Sequence, residues 1–133
     1  MANTRGPIER PLSPHLQIYR LTLTFVMSGV HRITGAGLYF GTLLLVWWLV
    51  ATATSARQYD VVNAVFSSWI GRIVLFGYTW ALMHHMLGGI RHFIWDTGRG
   101  FEPAEREFLA RATIIGSIAL TFAVWALAYV LKG

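Results

Sequence analysis

Three stretches of the chain carry almost no charge: 33–54, 73–90, where two histidines are the exceptions, and 112–131. Each is close to the roughly 20 apolar residues a membrane-crossing helix needs. Their flanks extend the pattern, so spans are expected at about 25–54, 67–93 and 103–131, preceded by an N-terminal segment over 1–24. Breakers separate them. Residues 53–60 are polar and read as a turn, and Asp96-Thr97-Gly98-Arg99-Gly100 reads as a loop. Pro103, with Glu102, Glu105 and Glu107 around it, reads as a helix start, where proline fits the first turn and acids complement the dipole. The expected fold is an all-α membrane protein of three transmembrane helices.

Composition agrees with lipid as the solvent. Of 133 residues, 55% are hydrophobic and 13% charged, against about 25% charged in soluble domains. The mean hydropathy is +0.50. The net charge of +5 would suit nucleic acid if the arginines were clustered on one soluble face. They stand instead at the ends of the apolar runs, as membrane topology requires, so no nucleic acid partner is expected. Arg5, Arg10, Arg20 and Arg32 precede or open the first span, and Arg91, Arg99, Arg106 and Arg111 surround the second loop. Only Arg57 and Arg72 flank the first loop, with Lys132 at the end. The N-terminus and second loop are therefore expected in the cytoplasm, and the C-terminus in the periplasm. The first residues lack the apolar core of a signal peptide and make a poor mitochondrial transit peptide, which favours a bacterial inner membrane over a mitochondrial one. Without cysteines there is no disulfide and no thiolate for an iron–sulfur cluster.

Ionisable groups inside a span are costly and usually functional. His85 lies six residues before Arg91, about 9 Å inside that end of the helix. It is either a histidine hydrogen-bonded to a neighbouring helix or an axial haem ligand. Gly89, four residues on and on the same face, leaves room for a flat macrocycle, and Gly88 thins the adjacent surface. His84 points about 100° away from His85 and cannot be the opposite ligand of the same iron. His31 is expected too shallow, near the level of Arg91, and His15 lies outside the membrane. A six-coordinate haem on His85 would therefore take its second ligand from another chain.

Ser28 and Arg32 share a helix face. They are either a packing serine with an arginine reaching the interface, or a site for a polar-headed, lipid-soluble molecule such as a quinone. His31 and Arg32 could also pair with haem propionates. His92 and Asp96 are spaced to pair, Trp95 suits an interfacial anchor, and Tyr78 and Trp47-Trp48 read as packing or belt residues. Gly37 and Gly41 form a small-residue pair for close helix approach, within the chain or with a second subunit.

Taken together, RPLSPHLQIYR at 10–20, SGVHRITG at 28–35 and HHMLGGIRHFIWD at 84–96 resemble the cytochrome b anchor subunits of succinate dehydrogenase, closest to the alphaproteobacterial and mitochondrial branch. The likeness covers the first two helices and their cytoplasmic ends; the third fits by length and hydrophobicity. It implies haem b, shared with a second membrane anchor subunit, with His85 as one axial ligand. It implies ubiquinone at Ser28 and Arg32, with His31 and Arg32 near the haem propionates and Gly89 beside the haem. Arg91, His92 and Asp96 are supporting candidates. It further implies an iron–sulfur subunit on the cytoplasmic face and a flavoprotein subunit that oxidises succinate. The rival readings are a quinol–fumarate reductase anchor, a haem-free structural anchor, and an unrelated channel or transporter subunit.

Overall fold

The computed structural model describes Pro11 and residues 20–132, and the account below concerns those residues. Among them the chain is helical throughout, with α1 over Leu23–Thr54, α2 over Ala56–Ser67, α3 over Trp69–Asp96 and α4 over Pro103–Lys132. The three long helices have 32, 28 and 30 residues and are apolar enough to cross a membrane. At 1.5 Å per residue each is at least about 42 Å long, so each outreaches a hydrocarbon layer of about 30 Å.

The segment expected to turn over 53–60 does not. Apart from the single break at Ser55, it is helix, and α2 is a fourth element. Two serines account for this. Ser55, extended at φ −165° and ψ 158°, ends α1 and accepts the Gln58 amide of α2 on its hydroxyl at 3.3 Å. Ser68 repeats the device, accepting the Gly71 amide of α3 at 3.1 Å. A polar run thus becomes two N-caps rather than a loop. Val62, fully buried, and Phe66, edge-on to Trp47 at 5.8 Å, hold α2 to the bundle. Gly71 is needed where α3 starts: a Cβ there would strike the Val65 carbonyl and the Phe66 backbone.

α3 is the central element, packed against both α1 and α4, which touch each other less. The α1–α3 pairing is antiparallel. His31 meets Gly88, Gly35 meets His85 and Gly41 meets Tyr78, so numbers rise on one helix as they fall on the other. Gly41 is therefore used within the chain, to admit the Tyr78 ring, whereas the space beside Gly37 is open. α4 returns along the opposite side of α3. Thr113, Ser117 and Thr121, one helical turn apart, are all buried there, and each hydroxyl donates to a carbonyl one turn back, at 2.8, 2.9 and 2.7 Å. Small residues with internally satisfied hydroxyls let two helices approach without stranding a polar group. The Trp125 indole donates to Thr79 across this seam at 3.2 Å.

The loop from α3 to α4 is tight. Gly98 and Gly100 take φ of +78° and +82°, values that favour residues without a Cβ. The Trp95 indole donates to the Gly100 carbonyl at 3.0 Å and ties the loop back to α3. Most of the large apolar side chains of the long helices face outward, as expected where lipid or a partner is the surrounding medium.

Candidate functional site

The chemically distinctive residues gather at one end of the bundle, where α1 and α4 begin and α3 ends. His85 projects from α3 toward α1. Its ring lies parallel to that of His31, with centroids 4.0 Å apart and planes within 1°. Two missing side chains allow this. A Cβ at Gly88 would run into the His31 ring, and one at Gly35 would stand 3.0 Å from His85 Cε1.

Hydrogen bonding fixes the His85 tautomer. Nδ1 lies 3.2 Å from the His31 carbonyl and 3.4 Å from Thr34 Oγ1. Thr34, itself buried, donates its hydroxyl to that same carbonyl at 3.0 Å. A carbonyl only accepts, so the proton of the His85–His31 bond sits on Nδ1. Nε2 is left with its lone pair, and it is not among the enclosed polar atoms that lack a partner. A histidine with one nitrogen donating to a backbone carbonyl and the other bare is arranged as metal-ligating histidines are. A Cβ at Gly89 would meet nothing within 4 Å, so the surface one turn away is open. These residues fit a haem held from this face.

His31 stands deeper than expected. The antiparallel register sets it against Gly88, one turn from His85, and the glycine lets its ring reach the His85 level. It is still not the opposite ligand, for a different reason. Iron between two imidazoles needs each to point a nitrogen at it from opposite sides, and parallel stacked rings do not.

His84 faces the other way. It is 2% exposed, and its Nδ1 lies 3.3 Å from Ser117 Oγ. The Ser117 hydrogen is committed to Ile114, so His84 Nδ1 donates and its Nε2 is enclosed without a partner. Arg91 follows the same face and is 4% exposed, its guanidinium carbon 5.1 Å from the Trp95 ring centre. His92 and Asp96 do not pair: among the described residues the ion pair present is Arg111–Glu107 at 3.0 Å. Both are exposed, and His92 meets Trp95 edge-on at 5.0 Å instead.

Ser28 and Arg32 are exposed on α1. They share the outer face one turn apart, and a pocket there would need walls from another chain. Most of the N-terminal segment, His15 included, lies outside the described residues. Two contributors escaped the sequence reading, Thr34 and Gly35. Their signal was available: Thr34 falls three and Gly35 four residues after His31, on the face that must meet α3.

Comparison with known proteins bears on this end of the bundle. The profile described as succinate dehydrogenase/fumarate reductase transmembrane subunit matches residues 7–128. The succinate dehydrogenase cytochrome b556 subunit of Paracoccus denitrificans is 46% identical over 112 residues, covering 84% of this chain and 86% of that protein. The cytochrome b556 subunit of Rickettsia felis is 34% identical over 127 residues, covering 94% and 99%. The mitochondrial cytochrome b560 subunit of Sus scrofa is 40% identical over 96 residues, covering 69% and 56%. The chain belongs to the succinate dehydrogenase/fumarate reductase transmembrane subunit family and is a cytochrome b membrane subunit of the succinate dehydrogenase type.

Proposed function

We propose that this chain is the haem b- and ubiquinone-binding anchor through which succinate dehydrogenase delivers electrons to quinone. The observation that carries the reading is the His85 imidazole, whose Nδ1 is tied to the His31 carbonyl while Nε2 is kept free as a ligand atom. His85 would hold haem b, with a second membrane anchor subunit supplying the other ligand. Haem b supplies a one-electron redox centre within the membrane. His31 and Arg32 would face its propionates.

Ubiquinone is the substrate and accepts two electrons and two protons to become the quinol. Ser28 donates its hydroxyl to a quinone carbonyl, and Arg32 stabilises negative charge developing on that oxygen. The iron–sulfur subunit docks on the arginine-rich end, closes the pocket over Ser28 and Arg32 and passes on electrons from the flavoprotein that oxidises succinate. Arginine placement supports a cytoplasmic N-terminus and α3–α4 loop and a periplasmic C-terminus, in a bacterial inner membrane.

The test separates the two ends of the electron path. Ser28→Ala and Arg32→Leu are expected to lower quinone reductase activity about tenfold or more, the loss of a charge-assisted or polar contact to the reacting oxygen. Succinate oxidation by an artificial flavin-level acceptor persists in both. Unchanged quinone kinetics in both variants would sink the assignment.

A further inference from the structure

Among the described residues Arg91 is a cation without a counterion. It is 4% exposed, and Nε and Nη1 are enclosed with no hydrogen-bond partner. Among the described residues no carboxylate lies within 4 Å of it; Glu107 is taken by Arg111. The Trp95 ring covers one side of the guanidinium, but a ring face gives no acceptor to N–H groups that radiate in the guanidinium plane. An enclosed charge left in this state is strongly unfavourable, so an acceptor is expected from outside the described residues.

At about 100° per residue, Arg91 is about 20° from the direction of His84 and about 120° from that of His85. It therefore belongs to the α4 side of α3. There it lines a cavity of about 110 Å³ between α3 and α4, walled by Leu87, Ile90, Ile94, Leu109 and Thr113. The walls are apolar except for Thr113, whose hydroxyl already donates to Leu109. Arg91 is five residues from the end of α3, about 8 Å below it.

We infer that the cleft between α3 and α4 beside Arg91 binds an anionic phospholipid, with a phosphate oxygen accepting from the Arg91 guanidinium and an acyl chain along Leu87, Ile90 and Leu109. Apolar walls leading away from one buried guanidinium match a head-and-tail ligand better than a free ion.

The test uses the assembled complex, purified from membranes and washed in mild detergent, with retained lipid identified by mass spectrometry. Wild type is expected to keep one anionic phospholipid per chain that Arg91→Met loses, with retention about tenfold or more lower, as for removal of a charge-assisted contact. Arg111→Gln, which breaks only the exposed pair with Glu107, keeps it. A second measurement needs no variant. Delipidated wild type is stabilised against heat by phosphatidylglycerol vesicles and not by phosphatidylcholine vesicles or inorganic phosphate. Equal lipid in wild type and Arg91→Met, equal stabilisation by inorganic phosphate, or a carboxylate of another subunit seated on Arg91 in a structure of the complex would each overturn the proposal.

Discussion

His84 and His85 are neighbours in sequence and opposites in use. Both are held as the Nδ1–H tautomer by a hydrogen bond to another helix: His84 to Ser117 on α4, His85 to the His31 carbonyl on α1. The difference lies at Nε2. That of His84 is sealed between α3 and α4, while that of His85 is not enclosed. One interface, α3–α4, is built from small hydroxyl residues that satisfy themselves; the other, α1–α3, is built around glycines that admit rings. Burial makes the first histidine a packing group, and accessibility leaves the second free to ligate. An unusual histidine pair therefore carries no single meaning; the neighbouring helix decides each member.

The contrast breaks most completely at His85. His85→Ala is expected to abolish six-coordinate haem, seen as loss of the low-spin α band in reduced-minus-oxidised spectra, while His84→Leu keeps the band. Gly88→Ala comes next. Its methyl enters the His31 ring, and overpacking of this kind costs about 1–3 kcal/mol, read as a lower temperature for loss of haem absorbance. His84→Leu has the smallest effect, about 1 kcal/mol of thermal stability, because Ser117 retains its own bond to Ile114 and only the imidazole contact is lost.

The apolar runs made the three long helices legible, since lipid requires long uncharged segments and tolerates few substitutes for them. Helix α2 was not legible in the same way. Its polar residues look like a turn until Ser55 and Ser68 are seen capping helices, a property of backbone geometry rather than composition. At the site, spacing singled out His85 and Gly89 as candidates and set Ser28 and Arg32 on one face. It misjudged the depth of His31, because depth depends on the register between two helices and on the glycine opposite, and one helix read alone contains neither. The His92–Asp96 pair failed for a related reason: spacing permits a contact, but an aromatic neighbour took the imidazole.

The two ends of the bundle are finished to different degrees. At the far end α2 folds across the joint between α1 and α3, with a serine at each hinge and a glycine that lets the chain turn back on itself. That hairpin is closed by contacts within the chain, through Val62 and the Trp47–Phe66 pair. The opposite end, with exposed Ser28 and Arg32 and an Arg91 that finds no acceptor among the described residues, is the end that the chain does not finish by itself.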